Sequence, residues 1–304
     1  MTEGELLEEL RPAAFAVAYR MLGSVAEAED VVQEALLRLH QELERGEEIA
    51  SPRAFVATVV TRLSIDQLRS ARVRREQYVG EWMPEPLVTD PREDPAERAE
   101  IADTLSFAFL TVLESLTPEQ RAAFLLREVF DYPYAEVAEI IGTSEENARQ
   151  LNSRARSQVG EGRPRFEAAG AQREELAASF FAATERGDFA ALEALLARDV
   201  ELHGDGGGKA PALAQMLRGR ARALRTLRAW WKLADRFGGV RFERTELNGQ
   251  PGALVRDPAG RLINAMVLDI AGGEIVAVRS VVNPDKLGHL GPVADLRGLI
   301  DQRG

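Results

Sequence analysis

The sequence predicts a multidomain fold in which two all-α domains are followed by one α+β domain. Apolar residues at helical spacing dominate the chain as far as residue 160, and short helices followed by strand-like runs dominate the rest. Two stretches rich in proline, glycine or charge separate these parts. The predicted divisions are an all-α domain at 1–76, an acidic linker at 77–104, an all-α domain at 105–160, a linker at 161–171 and an α+β domain with a tail at 172–304.

The composition is that of a globular protein without thiol chemistry. Of 304 residues, 45% are hydrophobic and 29% are charged, cysteine is absent, and the three histidines are His40, His203 and His289. The absence of cysteine excludes disulfides, and three scattered histidines do not make a zinc site, so we expect no metal and no cofactor. Because no apolar run is long enough to span a membrane and the N-terminus lacks a signal peptide, we expect a cytoplasmic protein without membrane contact.

Charge lies in blocks along the chain. The net charge of −11 argues against a nucleic-acid-binding protein, because such proteins usually carry a basic surplus. The distribution changes this interpretation. Residues 1–50 and 77–104 are acidic, whereas the segments 61–76 and 149–165 each carry five arginines. The same chain can therefore bind one basic partner and one acidic partner.

Helix starts and a helix-turn-helix pattern define the two all-α domains. Ser51 followed by Pro52 places a hydroxyl cap before a proline at the first helical position. Thr117 and Gln120 have the spacing of a capping box. Residues 133–159 contain a short helix, a glycine turn and a polar helix, which is typical of a helix-turn-helix.

Helices come first and strands after them in the last part of the chain, which predicts an α+β domain. Helices are expected at 172–186 and, with seven basic residues, at about 218–236, and the string DGGGK at 205–209 is expected to be a loop. The predicted strands are 198–203, 240–247, 252–257, 261–270 and 274–282.

These features together resemble a bacterial sigma factor of the extracytoplasmic-function group. The resemblance covers 5–75 and 105–160, and it rests on SVAEAEDVVQEALLRL at 24–39, on the arginine-rich segment 51–76 and on the segment 116–156. These segments look like sigma regions 2 and 4. A lone helix-turn-helix is common to many regulators, but both regions in this order are specific. The resemblance implies a subunit that binds core RNA polymerase, recognises promoter DNA and initiates transcription.

Within region 2, the resemblance assigns two sets of side chains. Asp30, Gln33 and Glu34 on the acidic helix would contact the clamp helices of the largest polymerase subunit; a solvated acidic face is the alternative. The minus-10 element would be opened and read by the arginine-rich helix, since the planar guanidinium suits phosphate. The arginines assigned to this element are Arg62, Arg69 and Arg72. Many family members carry asparagine near Arg62, which leaves its base contact open.

In region 4, the last helix would read the minus-35 element in the major groove. Ala148, Leu151 and Ala155 share its inward face. Asn and Gln side chains can pair with adenine edges and Arg with guanine edges. The outward residues assigned to DNA are Asn147, Arg149, Gln150, Ser153 and Arg154. Ordinary solvated arginines at a helix end are the alternative. The acidic linker has two interpretations, a mimic of the RNA polyanion and a simple spacer.

Residues 172–287 resemble the SnoaL-like family, a cone of helices around a curved sheet. Three strings look like the marks of sigma factors with this extension: WMPEP at 82–86, DGGGK at 205–209 and NPDKL at 283–287. We predict that the linker packs on the C-terminal domain near one or both of the other strings and that this domain regulates the sigma regions in cis. The residues assigned to this contact are Trp82, Pro84, Glu85, Pro86, Asp205, Gly206, Gly207, Gly208, Lys209, Asn283, Pro284, Asp285, Lys286 and Leu287.

Specific contacts are expected between these strings. Trp82 is the expected apolar anchor, because a large apolar residue inside a polar linker needs a partner surface. Three consecutive glycines allow positive φ and let the loop lie flush against another segment. The expected charge pairs join Asp205 and Lys209 to Asp285, Lys286 or Glu85.

The competing hypothesis is a cone-fold enzyme or ligand sensor fused to a DNA-binding half. Related cones use an Asp or His in the pocket for proton transfer, and His203 and Asp205 lie two residues apart, on one face of a predicted strand. One His and one Asp beside glycines are more often loop and surface residues. We therefore expect no enzyme activity, and a small ligand of the C-terminal domain is left open.

Overall fold

Two units interleave along the sequence. In the computed structural model, the N-terminal unit comprises Met1–Glu76 and Ala108–Arg163, and the C-terminal unit comprises Gln77–Phe107 and Pro164–Gly304. The linker predicted between the all-α domains thus belongs to the C-terminal unit. No helix among the described residues is long and apolar enough to cross a bilayer. The structure describes residues 2–76, 78–89, 103–160, 170–236 and 238–301.

The first three helices of the N-terminal unit begin at capped positions. Thr2 and Glu5 form a reciprocal capping box on α1, and the Ser24 hydroxyl accepts from the backbone of Glu27 at the start of α2. Gly23 ends α1 in the left-handed conformation, with φ of 67°, which lets the chain reverse directly into α2. The bounds are α1 Glu3–Leu22, α2 Val25–Glu44 and α3 Pro52–Glu76.

Among the described residues, four further helices belong to this unit, and the last two form the predicted helix-turn-helix. The capping box of Thr117 and Gln120 is present. The helix expected to continue to about Phe130 changes to a π-helical turn, Leu125–Val129, whose last bond runs from the Phe130 N–H to the Leu125 carbonyl at 3.0 Å. The bounds are α4 Phe107–Leu113, α5 Pro118–Phe124, α6 Tyr134–Ile141 and α7 Glu145–Gly160.

A buried arginine joins the two helical groups of the N-terminal unit. Arg121, on α5, is 3% exposed and donates to the carbonyls of Met21 at 2.7 Å and Leu113 at 2.6 Å. Its guanidinium also pairs with Glu114 at 2.8 Å. Burial lowers the pKa of Arg121 to about 9. Because a buried guanidinium must be hydrogen-bonded, these contacts hold the end of α1 against α5.

The C-terminal unit is a seven-stranded sheet with helices packed on it, which confirms the predicted α+β class. The strand order is β1-β4-β5-β6-β7-β2-β3, and all pairs are antiparallel except β2 with β7. The strands are β1 Val88–Thr89, β2 Leu196–Asp205, β3 Leu217–Arg218, β4 Arg241–Leu247, β5 Gln250–Arg256, β6 Leu262–Ala271 and β7 Glu274–Val281. The helices are α8 Gly170–Arg186, α9 Phe189–Leu195, α10 Arg220–Arg236 and α11 Leu296–Asp301.

The pleat of this sheet sorts its side chains into two apolar cores. Met266 and Val278 pack in a core with Phe180 and Phe181 of α8 and Leu227 of α10. A second core, on the other face, joins strand residues to residues of the linker and of the segment after β7. Because neighbouring residues on a strand point to opposite faces, both faces of the central strands are buried. The members of the second core are Met83, Phe107, Leu247, Leu254, Leu262, Ala265, Val267, Val281 and Leu287.

Candidate functional sites

The acidic face of α2 carries the three residues assigned to polymerase. Asp30 and Gln33 are exposed, and Glu34 is half-buried and accepts from the Arg38 Nε at 2.8 Å. Glu27, one turn earlier, accepts from the amide of Gln67 on α3 at 3.2 Å. The helix therefore presents a carboxylate surface whose inner edge is held by α3.

Two arginines assigned to the minus-10 element contact the second helical group of the same unit. Arg62 donates to the carbonyls of Ile140 and Glu139, both at 2.9 Å, at the C-terminal end of α6. These are carbonyls that a helix end leaves without an intrahelical partner, and they favour a cation. Arg69 pairs with Glu119 at 2.6 Å. The helical position of Arg72 is described, but its side chain lies outside the described residues.

The carboxylate of Glu119 is held in its charged form by these contacts. Burial alone would raise its pKa, but hydrogen bonds from its own backbone N–H and from Arg69 outweigh this effect and lower the pKa. No sequence signal pointed to this pair, because the two residues are 50 positions apart and lie on separately predicted domains.

Helix α7, the second helix of the helix-turn-helix, exposes the face that the sequence predicts. Asn147, Gln150 and Ser153 are exposed, as are Arg149 and Arg154. Arg149 pairs with Glu145 and lies over the ring of Tyr134, 4.4 Å from its centroid. The inward face includes a residue that the sequence analysis did not single out: Asn152 is buried and donates to Glu128 and the Tyr134 hydroxyl, both at 2.8 Å.

In the C-terminal unit, the three strings meet at the carboxylate of Asp205, which is fully buried. Its Oδ2 accepts from the Met83 backbone N–H at 2.9 Å and from the Lys286 Nζ at 2.7 Å, and its Oδ1 accepts from the Tyr78 hydroxyl. Lys286 also donates to the Met83 carbonyl, and the Asn283 amide donates to the Tyr78 hydroxyl at 2.9 Å. We call these five residues, Tyr78, Met83, Asp205, Asn283 and Lys286, the linker clasp.

The electrostatics of the linker clasp follow from its burial. A buried carboxylate is stable only when it is paired and hydrogen-bonded, and here one lysine, one hydroxyl and the backbone N–H groups of Met83 and Gly207 donate to it. Burial and the contact with Asp205 raise the pKa of Tyr78 far above its ordinary value. The Tyr78 hydroxyl therefore stays protonated at neutral pH and donates to Asp205.

The apolar anchor of the linker is Met83 and not Trp82, which corrects the prediction. Met83 is 0% exposed and belongs to the second core, whereas Trp82 is half-buried beside the Lys286 Nζ, 4.5 Å from the ring centroid. Neighbouring residues of an extended segment point to opposite sides, so only one of the two can enter the sheet core. Pro84, Glu85 and Pro86 are buried as well, and the Pro86 carbonyl accepts from the His289 Nε2 at 2.7 Å.

The glycines of DGGGK have no room for side chains. A Cβ on Gly206 would lie 2.2 Å from the Ala210 carbonyl oxygen, and one on Gly207, whose φ is 56°, would lie 2.3 Å from the Asn283 amide nitrogen. Gly208 lies against Val79 of the linker. The loop therefore sits flush against both other segments, as expected.

Both expected charge pairs of this loop form, but they differ in burial and therefore in their contribution to stability. Asp205 with Lys286 is buried, whereas Lys209 pairs with Asp285 at 2.5 Å with both side chains more than half exposed. Exposed pairs contribute about 0–1 kcal/mol to stability. Of the remaining assigned residues, Pro284 begins a 3-10 turn and Leu287 is fully buried in the second core.

A second attachment of the linker went unpredicted. The Leu87 N–H donates to the Asn248 Oδ1 at 2.8 Å, the Asn248 N–H donates to the Leu87 carbonyl at 2.7 Å, and its side-chain amide donates to Leu105 at 3.0 Å. Thr89 pairs with Glu246 where β1, the edge strand, joins β4. In sequence, Asn248-Gly249 indicates only a hairpin turn, and its long-range hydrogen bonds leave no local signal.

His203 and Asp205 do not face the cavity of the cone, so they are not placed for proton transfer there. His203 contacts Glu81 at 2.6 Å and Glu201 at 3.1 Å, and Asp205 belongs to the linker clasp. Gly204, between them, lines the cavity on the opposite face of β2. The described residues contain no cluster of three or more carboxylates, histidines or cysteines placed to hold a metal ion.

Comparisons with known proteins agree with this architecture. Family models match at 6–74 (Sigma-70 region 2), 106–159 (Sigma-70, region 4) and 177–256 (SnoaL-like domain). A Mycobacterium tuberculosis protein, ECF RNA polymerase sigma factor SigJ, is 40% identical over 92% of this chain and 91% of its own length. The probable ECF sigma factor SigI of that organism is 35% identical over 58% of this chain and 60% of its own. The crystal structure of SigJ superposes with a TM-score of 0.72, at 36% identity, over 93% of this chain and 98% of that one.

Proposed function

The chain belongs to the extracytoplasmic-function RNA polymerase sigma factors with a SnoaL-like C-terminal domain, and we propose which of its surfaces carry that function. The acidic face of α2 binds core RNA polymerase, α3 opens and reads the minus-10 element, and α7 reads the minus-35 element. The C-terminal unit regulates these steps in cis through its hold on the linker.

The polymerase and promoter assignments are supported by the charge and exposure of the two helical groups. Asp30 and Gln33 form an exposed acidic surface, which suits a basic partner. The outward face of α7 carries amide and guanidinium groups that can pair with base edges. The relatives named SigJ and SigI carry this activity in their names.

The observation that carries the regulatory proposal is the buried linker clasp. Only residue 77 separates the end of α3 at Glu76 from Tyr78, and Phe107 begins α4 directly. The described parts of the linker are held against the sheet at 78–89 and at 105–107. Released from the sheet, the 31 residues of 77–107 would extend to roughly 100 Å. Holding or releasing the linker thus sets how far regions 2 and 4 can separate on polymerase and promoter.

The experiment is promoter-specific transcription with purified core polymerase. Met83→Ala removes the buried anchor and Trp82→Ala removes the ring beside Lys286, and both are expected to change transcript yield several-fold, in either direction. Asp285→Ala is the matched control, since it breaks only an exposed pair of the same contact, and we expect a small effect. A chain ending at about residue 170 gives the unregulated level. If all these proteins transcribe like the intact chain, regulation through the linker is excluded.

We further propose that the C-terminal unit acts without chemistry of its own. Its relatives are sigma factors, and the two residues weighed for proton transfer are engaged with the linker and with Glu201. A role in sensing a small ligand is the second candidate, and the cavity on the opposite face of the sheet favours it.

A further inference from the structure

The cone of the C-terminal unit contains an open cavity of about 240 Å³ between the sheet and helices α10 and α11. The register of the sheet explains which strand side chains line this cavity and form its floor. Val255 pairs with Asn264, and Met266 pairs with Ser280, so these side chains stand on one face in adjacent rows. Trp230 and Trp231 of α10 and Leu296 and Ile300 of α11 also line the cavity.

One polar group on this floor is left without a partner. The Oδ1 of Asn264 is buried and has no hydrogen-bond partner among the described residues, and the residue as a whole is 8% exposed. Leaving a buried acceptor unpaired costs about 1–3 kcal/mol, and an apolar side chain of similar size would avoid the cost. A nearly apolar cavity with one unpaired acceptor has the character of a ligand site.

We infer that this cavity is a binding site for a small, mainly apolar ring compound that carries one hydrogen-bond donor for the Asn264 carbonyl. An apolar cavity of about 150 Å³ accepts benzene, so about 240 Å³ accommodates a ligand of about ten non-hydrogen atoms. The aromatic walls provide stacking surfaces, and the unpaired Asn264 oxygen sets the orientation of the ligand.

The site shares its strands with the linker clasp. Along β7 and beyond, Ser280 and Val282 line the cavity, Val281 packs in the core that holds Met83, and Asn283 binds Tyr78. On β2, Gly204 lines the cavity and Asp205 receives the linker. A ligand that shifts these two strands therefore acts directly on the linker clasp. This second step rests on the proposed regulatory function, whereas binding itself does not.

Binding is tested by calorimetry on the intact protein with indole and indene, which have the same shape but differ in the N–H donor. We expect indole to bind about tenfold more tightly than indene, because only indole satisfies the Asn264 oxygen. Asn264→Leu should bind both compounds equally and should also unfold at a higher temperature than the natural protein.

Two alanines on α10 provide a matched pair of variants. Ala234 lines the cavity and Ala229 is exposed on the same helix. Ala234→Phe should abolish indole binding, and Ala229→Phe should leave it unchanged. No binding of indole by the natural protein, equal binding of indole and indene, or retained binding in a folded Ala234→Phe variant would overturn the site.

The coupling to the linker is tested by hydrogen exchange of residues 78–89 with and without saturating indole. We expect exchange at the Met83 amide, which donates to Asp205, to change at least severalfold in the natural protein and not in Ala234→Phe. Unchanged exchange with indole bound would overturn the coupling while leaving the site intact. Neither measurement uses transcription, so failure here is separable from failure of the regulatory proposal.

Discussion

Asp205 lies at the centre of the contact between the linker and the C-terminal domain. Its two oxygens receive the linker backbone at Met83, the hydroxyl of Tyr78 and the ammonium of Lys286. Fully buried charge pairs are costly to form but more costly to break, because the remaining partner stays buried and unpaired. The residue therefore makes linker attachment sensitive to a single substitution.

Asp205→Asn should destabilise the C-terminal unit by about 3 kcal/mol, since it leaves the Lys286 ammonium buried without its counter-charge. Urea unfolding measured by tryptophan fluorescence checks this, because Trp82, Trp230 and Trp231 all lie in the C-terminal unit. Combining Asp205→Asn with Lys286→Met should cost less than the sum of the two single changes. Simple additivity would show that the pair does not act as a unit.

We propose that helices α2, α3 and α7 carry separate parts of the sigma function, and four predictions belong to this scale. Two concern surfaces that the sequence already assigned. The other two concern a contact between α3 and α5 that appeared only in the structure.

Reversing Asp30 and Glu34 of α2 to lysine should weaken binding to core polymerase at least tenfold while leaving the helical content unchanged, because both side chains lie outside the core. The matched control is Glu47→Lys with Glu48→Lys, which changes the net charge equally at two exposed positions after α2. Affinity is measured by fluorescence titration with core polymerase. Equal losses of affinity in both double variants would show that the effect depends only on net charge.

Promoter recognition should divide between α7 and α3. Alanine at Arg149, Gln150 or Arg154 should weaken duplex minus-35 binding, with a loss of about 1–3 kcal/mol for each good base contact. Alanine at Arg69 or Arg72 should instead slow promoter opening. Opening is measured by the permanganate reactivity of unpaired thymines. Failure of both groups at the same step would contradict the division.

The Arg69–Glu119 contact should compete with promoter DNA for the arginine. Glu119→Gln should raise the affinity of the free protein for an opened minus-10 strand about two- to fivefold, since an exposed pair contributes about 0–1 kcal/mol. Arg69→Ala should lower that affinity. Anisotropy with a labelled strand separates the two outcomes, and a fall in affinity with Glu119→Gln would rule out competition.

The same contact has a predictable pH dependence. The pKa of Glu119 is lowered in the folded protein, so its stabilising effect is complete above the ordinary carboxyl pKa and is lost as the pH falls through the lowered value. Glu119→Gln should remove this acid-side dependence of DNA affinity. This pH dependence lies below the ordinary carboxyl pKa, because the pKa of Glu119 is lowered, and it is absent at neutral pH.

For the whole molecule, the decisive feature is that the linker between regions 2 and 4 folds with the C-terminal unit. Residues 77–107 contribute strand β1, the buried Met83 and the buried Phe107 to that unit. The C-terminal domain and the described part of the linker between the two sigma regions thus belong to one folded unit.

A chain ending at residue 170 should therefore lose the protection of its linker. We expect limited proteolysis to cut within 77–107 at least tenfold faster than in the intact protein, because the sheet that receives Met83 is gone. Asp285→Ala, which breaks only an exposed pair, should keep the resistance of the intact chain. Equal cleavage rates in the truncated and intact chains would contradict attachment of the linker in solution.

The sequence by itself determined the features that depend on local periodicity and caps. The capping box at Thr117, the outward face of α7 and the four strands of the meander follow from spacing alone, because each depends on residues close in the chain. The three strings were recognisable from a resemblance, and the pairing of Asp205 with Lys286 was among the alternatives that their charges allowed.

Only the tertiary structure decided which residues meet across long separations. The choice of Met83 over Trp82 depends on which side of an extended segment faces the sheet, and the contact of Arg69 with Glu119 depends on how two helical groups pack. The unpaired oxygen of Asn264 has a meaning only once the strand register places it on the floor of a cavity. Pattern in the chain specifies which face of an element is apolar, but the partner of that face is set by the folded whole.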